Sequence, residues 1–280
     1  MLIYTKITEV QAILNQFRRS GKTIGFVPTM GALHQGHISL IHLSKQACDV
    51  TVCSIFVNPT QFNDKQDLER YPRMPEADAN LLSAAGCDLL FLPSVDEMYP
   101  EGAAGPTFEF GTLDKVLEGA HRPGHFNGVA QVVKRFFEIV EPQQAFFGSK
   151  DYQQTLIVKA LVKQMKADIR IVTCPILREA DGLAMSSRNA LLSPEERKLA
   201  SLIPALMKEC VALATQQSIS LAKERVQAAV QSHPAYRLDY FEVCEAETLL
   251  SVNSEKAQAG NLALIALFVG KIRLIDNLFV

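Results

Sequence analysis

The stretch Asp49-Val-Thr-Val-Cys-Ser-Ile-Phe-Val57 constrains the fold of this chain more than any other. It is apolar and β-branched almost throughout, with none of the alternation that marks a strand with one wet face. That is the pattern of a parallel strand covered on both sides. Thr23 to Val27 reads as a second buried run, broken by Pro28 and Gly31, after which Ile38-Ser-Leu-Ile-His-Leu43 opens a helical pattern. Helical composition over 75–85 leads into a third run, Asp88-Leu-Leu-Phe-Leu-Pro93. Strand, helix and strand in repetition predict an α/β fold with a doubly wound parallel sheet, whose ligands gather at the carboxyl ends of the strands.

The loops at those ends carry the polar residues. In Phe26-Val-Pro-Thr-Met-Gly-Ala-Leu-His-Gln-Gly-His37 the two histidines are three apart, so a helix starting near them puts both imidazoles on one face beside its positive N-terminus. Gly31 and Gly36 remove side chains where a nucleotide needs close backbone approach, and the pair reads as a place for phosphate. A second turn of the same kind, Gly148-Ser-Lys-Asp151, follows the short strand Gln144-Ala-Phe-Phe147, precedes a helix over 152–165 and carries a cation. Asn58 to Gln61 and a polar loop with Met185-Ser-Ser-Arg188 complete four groups. Imidazoles, Lys150 and a mobile Ser-Ser-Arg loop would together surround a triphosphate with charge-assisted donors. Cleavage of ATP between its α and β phosphates needs such fixed donors more than a nucleophile, with Mg²⁺ neutralising the remaining charge.

The rest of the pattern is scaffold. Thr8-Glu-Val-Gln11 has the form of a capping box for a first helix that stops at Ser20-Gly21. Residues 98–128, rich in Gly and Pro, predict a long shaped loop, and 129–140 a helix whose Val129, Val132, Val133 and Phe136 are core. Arg122, His125 and Asn127 either shape a substrate wall or only fix that loop. His121 and His125 mimic a metal pair, but Pro123-Gly124 prevents the helix that would align them. His42 reads as a hydrogen-bonded structural histidine. Ile169-Arg-Ile-Val172 closes the sheet pattern, and the character of the chain changes at 175–180. Ser193-Pro-Glu-Glu196 starts a helix, residues 221–231 are helical again, and 238–243, 262–268 and 272–275 are strands, the last two joined by the tight Gly270-Lys271 turn of an antiparallel sheet.

With 280 residues the chain exceeds the ~100–200 of an average domain, which fits two unequal domains or one large one. A net charge of −2 offers no field to gather nucleic acid, and no apolar run reaches the ~18–20 residues of a membrane span. Without a signal-peptide pattern the cytoplasm is the expected compartment. The six cysteines, scattered without a Cys-x-x-Cys pair, are expected as buried free thiols.

Six blocks in order give the sequence a family resemblance: Pro28-Thr-Met-Gly-Ala-Leu-His-Gln-Gly-His37, Phe56-Val-Asn-Pro-Thr-Gln-Phe62, Arg122-Pro-Gly-His-Phe-Asn-Gly128, Phe147-Gly-Ser-Lys-Asp-Tyr-Gln-Gln154, Asp181-Gly-Leu-Ala-Met-Ser-Ser-Arg-Asn189 and Arg273-Leu-Ile-Asp-Asn277. Together they resemble the pantoate–beta-alanine ligases, relatives of the nucleotidylyltransferases with an H-x-G-H motif. The resemblance implies a Rossmann-like nucleotide- and pantoate-binding domain over 1–176 and a smaller α+β lid domain over 177–280. It also implies a homodimer, ATP as co-substrate and Mg²⁺ carried on its phosphates. In the reaction it implies, the pantoate carboxylate attacks the α-phosphate of ATP to give pantoyl adenylate and pyrophosphate, and the beta-alanine amine then displaces AMP.

Carried over residue by residue, ATP is bound by Met30, Gly31, Ala32, Leu33, His34, Gln35, Gly36 and His37, by Gly148, Ser149, Lys150 and Asp151, by the backbone of Leu177, and by Met185, Ser186, Ser187 and Arg188. His34, His37, Lys150 and Arg188 carry the chemistry, with His37 as proton donor. Gln61, Gln154 and Met30 hold pantoate, and Gln61 also lies where beta-alanine enters. A carboxamide donates and accepts without the charge that would repel the attacking carboxylate. Ser149, Gln35, Gln131 and Leu177 depart from the Glu, Glu, Thr and Val usual in that family. Two other readings compete: a nucleotidylyltransferase that keeps the nucleotide in its product, which leaves Gln61 and Gln154 unexplained, and a non-catalytic nucleotide-binding protein.

Overall fold

The structure, a computed structural model, describes residues 1–62, 65–102 and 105–280, with the side chains of residues 65–67 outside the description. In chain order the elements are β1 (Leu2–Tyr4), α1 (Ile7–Arg19), β2 (Ile24–Thr29), α2 (Gln35–Ala47), β3 (Val50–Ile55), α3 (Lys65–Arg70), α4 (Pro75–Ala84), β4 (Leu89–Phe91), α5 (Val95–Met98), α6 (Glu118–His121), α7 (His125–Val140), β5 (Gln144–Gly148), α8 (Tyr152–Met165) and β6 (Arg170–Cys174). They continue with α9 (Pro194–Ala200), α10 (Ile203–Gln216), α11 (Ile219–Gln231), β7 (Tyr236–Glu245), β8 (Asn261–Val269) and β9 (Ile272–Phe279). The chain divides into two compact units. One comprises Met1–Asp114 with Arg122–Pro175, the other Ile176–Val280 with the excursion Lys115–His121.

The first unit is built on a parallel sheet in the order β1-β4-β3-β2-β5-β6. Every residue of β3 is buried, as its unbroken apolar run requires. Successive side chains point to opposite faces. Phe26, Val52 and Phe147 join the core formed with α1, α7 and α8, whereas Val27, Cys53 and Phe146 join the core formed with α2 and α4. On the first face Phe136 of α7 meets Phe26, Phe56 and Phe91 with ring centroids 5.6, 6.2 and 6.2 Å apart. From β2 the chain moves outward through β3 to β4 on one side, and β5 and β6 take the other. The order therefore reverses between β2 and β5, which opens a crevice beyond their carboxyl ends.

Several local expectations shift. The edge strand β1 has no counterpart in the sequence reading; three residues carry no periodicity, and their pairing with β4 is a tertiary event. α1 begins at Ile7, so Thr8 lies inside its first turn and caps nothing; the Ile7 amide donates instead to the Glu97 carboxylate at 2.9 Å. α7 starts at His125, within the stretch expected as loop. Gly124 before it has φ +81°, and a Cβ on Gly128 would lie 2.3 Å from the Thr60 carbonyl oxygen, so these glycines let the helix start and close on the 59–61 turn. His42 is exposed rather than a structural histidine. Five cysteines are buried and Cys48 half-buried, all of them free.

In the second unit β7, β8 and β9 form an antiparallel sheet, with β8 and β9 joined through Gly270 at φ +60°. α9 has the expected capping box, the Ser193 hydroxyl accepting from the Glu196 amide and the Glu196 carboxylate from the Ser193 amide. Helices α9 to α11 cover one sheet face through Ala200, Ile203, Met207, Cys210, Ala222 and Val226. No helix among the described residues is long and apolar enough to cross a membrane.

Candidate active site

Two strand-to-helix turns of the first unit meet at the crevice. In the one between β2 and α2, Gly31 (φ +82°) and Ala32 (φ +49°) are consecutive left-handed residues. For alanine that conformation is strained by about 1–2 kcal/mol. It is held by Asp78 of α4, a carboxylate only 2% exposed, whose two oxygens accept the Ala32 amide at 2.9 Å and the Leu33 amide at 2.7 Å. The Gly31 amide donates to the Thr29 hydroxyl at 3.3 Å. His34 is then the N-cap of α2, its Nδ1 accepting the Gly36 amide at 3.1 Å, and His37 Nδ1 accepts the His34 amide at 3.4 Å.

This wiring changes how the turn can bind a phosphate. The Ala32, Leu33 and Gly36 amides are taken by the protein's own acceptors, so none of the three is offered to the nucleotide. What remains is side chain. A backbone amide can only donate, so each Nδ1 must be an acceptor, and the neutral rings carry their protons on Nε2. The rings lie 4.1 Å apart. Desolvation by the surrounding protein, then His34, then the positive charge of Lys150, lower the His37 pKa to about 3. At neutral pH His37 is thus a neutral ring that carries its proton on Nε2.

Lys150 comes from the second turn, between β5 and α8. Gly148 precedes a 3-10 turn, Ser149–Asp151, and Lys150 Nζ lies 3.9 Å from the more exposed Asp151 carboxylate. A Cβ on Gly148 would meet nothing within 4 Å. Protein packing therefore does not require glycine there.

Next to these turns, Asn58 organises the amides. Its Oδ1 accepts the Thr60 amide at 3.3 Å and the Tyr99 hydroxyl at 2.8 Å, and its Nδ2 donates to the Gly128 carbonyl at 3.2 Å. Both backbone partners admit only this orientation. Asn58 Nδ2 also donates to Gln61 Oε1 at 3.2 Å, which turns Gln61 Nε2 toward the Met30 sulfur, 2.9 Å away. His125 Nδ1 lies 2.7 Å from the Gln61 carbonyl oxygen and its Nε2 lies 3.3 Å from Arg122, while Asn127 Oδ1 accepts the Phe108 amide. Asn127 thus fixes the loop. Gln154 is half-buried on the first turn of α8. The sequence reading missed Asp78 and the central place of Asn58. An acid in the first turn of a helix is too common a pattern to single Asp78 out.

Leu177, Met185, Ser186, Ser187 and Arg188 belong to the second unit. The Leu177 carbonyl accepts the Met185 amide at 3.0 Å, and the Ser186 hydroxyl caps a 3-10 turn, Ser187–Leu191, by accepting the Arg188 amide at 3.3 Å. Near this segment Asn189 Nδ2 donates to Glu179 and to the Ala184 carbonyl, and the fork of Arg178 grips the buried Asp276 at 2.7 and 2.9 Å. Arg273 of the last sequence block pairs with Glu118 and Asp239. Among the described residues no three His, Cys, Asp or Glu side chains cluster as ligands for a metal ion.

A family model described as Pantoate-beta-alanine ligase matches residues 2–279. Pantothenate synthetases from Porphyromonas gingivalis and Bacteroides fragilis are 45% and 48% identical over 278 residues, covering 99% of this chain and 99% and 98% of theirs. The crystal structure of pantothenate synthetase from Thermus thermophilus is similar with a TM-score of 0.92 at 43% identity, covering 99% of both chains. A pantoate-beta-alanine ligase from Francisella tularensis, complexed with beta-gamma ATP and beta-alanine, is similar with a TM-score of 0.85 at 34% identity, covering 100% of this chain and 97% of that one.

Proposed function

Because the chain belongs to the pantoate–beta-alanine ligase family and is a ligase of that kind, we propose that it activates pantoate with ATP at the β2–α2 and β5–α8 turns. The carrying observation is the pair of neutral imidazoles, rings 4.1 Å apart and both committed to Nε2–H, at the sheet's switch point beside the charge of Lys150.

In the first step a pantoate carboxylate oxygen bonds to the α-phosphorus of ATP as the bond to the β-phosphate oxygen breaks, giving pantoyl adenylate and pyrophosphate. Negative charge grows on the phosphoryl oxygens, and donors already fixed in place stabilise it without reorganising. His34 and His37 donate from Nε2, and Lys150 adds a point charge. A neutral His37 suits this role because it stabilises charge without losing its proton. In the second step the beta-alanine nitrogen attacks the acyl carbon, the bond to AMP breaks, and the nitrogen releases its proton to solvent. Gln61, turned by Asn58 to present Nε2, grips pantoate together with Gln154 and lies at the entry of beta-alanine.

Glycine at 148, demanded by nothing inside the protein, fits close approach of the nucleotide. Leu177, Met185, Ser186, Ser187 and Arg188 are proposed as further ATP contacts; Leu177 would bind through its amide, because its carbonyl is taken by Met185. Mg²⁺ would arrive on the phosphates, where the Asp151 carboxylate beside Lys150 is an oxygen donor of the right type. When bound it neutralises phosphate charge. A cytoplasmic homodimer, with 177–280 as a lid, completes the reading on the family resemblance.

Purified protein given pantoate, beta-alanine and ATP should release AMP and pyrophosphate in step with product. Release of ADP and phosphate would rule out the adenylate, and AMP retained in the product would mark a nucleotidylyltransferase. Gln61→Ala should raise the KM for pantoate about 10- to 100-fold, as expected for a hydrogen bond to a charged group, with far less effect on ATP. Equal losses for both substrates would contradict the assignment.

A further inference from the structure

We infer that Asp78 is a positioning residue for adenylate formation: its carboxylate holds the left-handed Gly31–Ala32 turn, and through it the imidazoles of His34 and His37, in the donor geometry. The inference rests on the reading of those histidines as phosphate donors.

Asp78 lies in no sequence block of the family resemblance and has no part in the chemistry described above. Burying an ionised carboxylate is unfavourable unless strong partners compensate, and an apolar residue would serve a core position better. Both oxygens of Asp78 are instead spent on two consecutive amides, Ala32 and Leu33, immediately before His34. Its place in the first turn of α4 favours the negative charge. The fit is close. A Cβ on Gly31 would lie 3.0 Å from Asp78 Oδ2 and 3.0 Å from Ile55 Cγ2, so the turn is clamped between β3 and α4.

The chain of dependence is short. Without the clamp, Ala32 relaxes toward the right-handed region that alanine prefers. The residues after it rotate, His34 leaves the N-cap, and its Nδ1 loses the Gly36 amide that fixes the tautomer. His37 Nδ1 loses the His34 amide in the same movement.

The test compares Asp78→Ala and Asp78→Asn with the unaltered full chain. Asn keeps the volume and one acceptor, but its amide nitrogen faces a backbone N–H. Pantoate-dependent exchange of pyrophosphate into ATP reads adenylation, turnover of supplied pantoyl adenylate with beta-alanine reads the second step, and imidazole nitrogen NMR reads the tautomers. For misplaced donors, kcat of exchange should fall about 100-fold in Asp78→Ala and about tenfold in Asp78→Asn, while the KM for pantoate stays within about threefold. The second step should fall much less than exchange, and the His34 and His37 signals should lose their Nε2–H pattern. Exchange within about threefold of the unaltered protein in a folded Asp78→Ala, far below the loss expected of misplaced donors, overturns the inference. So does lost exchange with unchanged tautomers, which is what a purely structural role gives. Should Asp78→Ala not fold, Asp78→Asn decides by the same criteria. His37→Ala separates the premise: if it leaves exchange intact, the donor reading fails and takes this inference with it. If it abolishes exchange while the Asp78 variants do not, only the role of Asp78 falls.

Discussion

The two units are wired differently. Around the β2–α2 turn the bonds that set geometry run to backbone amides and neutral side chains: Asp78 to Ala32 and Leu33, His34 to Gly36, Asn58 to Thr60, Gly128 and Gln61. In the second unit guanidinium groups do this work. Arg273 lies 2.7 Å from both Glu118 and Asp239, and Arg178 grips Asp276. The contrast follows from what each region must leave available. A site for a polyanion needs donors held in fixed places, and here its scaffold is tied largely through the main chain. The excursion Lys115–His121 has little core of its own, and Glu118 fastens it to the sheet where charge has no competing task.

The largest effect expected from this contrast is on stability. Arg273 hydrogen-bonds Glu118 through both terminal nitrogens and Asp239 through Nε, and Tyr240 donates to Glu118 at 2.8 Å. Burial alone would lower the Arg273 pKa, but the bonds and charges of Glu118 and Asp239 raise it. Arg273→Ala leaves two largely buried carboxylates without their cation and should cost about 3–5 kcal/mol in urea unfolding. A loss below about 1 kcal/mol, the scale of an exposed pair, would show that this network behaves like surface charge and would erase the contrast.

His37→Ala should instead be read in rate. Removing one fixed donor to developing charge lowers kcat by about 10²–10³, or roughly 2.7–4 kcal/mol of barrier. Pyrophosphate exchange measures it, and a change under about threefold would mean that the turn does not touch the reacting phosphate.

The same residue gives a pH dependence. His37 has a folded pKa of about 3 against an ordinary 6.5. Between those values the unfolded chain binds a proton that the folded chain refuses. The stability tied to the neutral ring is therefore complete above pH 6.5 and lost as pH falls toward 3, by up to about 1.4 kcal/mol per unit. Thermal unfolding from pH 7 to 4 should show the unaltered protein losing its advantage over His37→Gln on acidification. Parallel curves would mean that His37 titrates normally and is not desolvated in the turn.

What the sequence made legible divides along sequence distance. The buried strands, the Ser193 capping box, the Gly270 hairpin and the histidines at a helix start are local patterns of burial, capping and backbone freedom, and each is written within ten residues. The clamp on Ala32 comes from Asp78, 45 residues away by the Leu33 bond, and the amide cap of α1 from Glu97, 90 residues away. Arg273 meets Glu118 across 155 positions. No periodicity encodes such pairings. The Asn58 network was half legible, because its polar turn stands out while the carbonyl that orients it, Gly128, lies in another helix.

The smallest expected effect tests whether burial, rather than the mere presence of ion pairs, distinguishes the second unit. Arg197 and Asp181 form a pair there at 2.6 Å, but their side chains are 32% and 37% exposed. The hydrogen bond from Arg197 holds the Asp181 carboxyl below its usual pKa, so the pair helps above the ordinary aspartate range near 3.9 and its contribution disappears as pH falls below that. Water and salt screen what remains. Arg197→Ala should cost no more than about 1 kcal/mol at low ionic strength, and less at 1 M salt, where the screening length is about 3 Å. The Arg273→Ala loss should change much less over the same salt range, because salt screens a largely buried pair far less than an exposed one. If the two losses were equal, or equally sensitive to salt, the number of ion pairs and not their enclosure would set the stability of this unit.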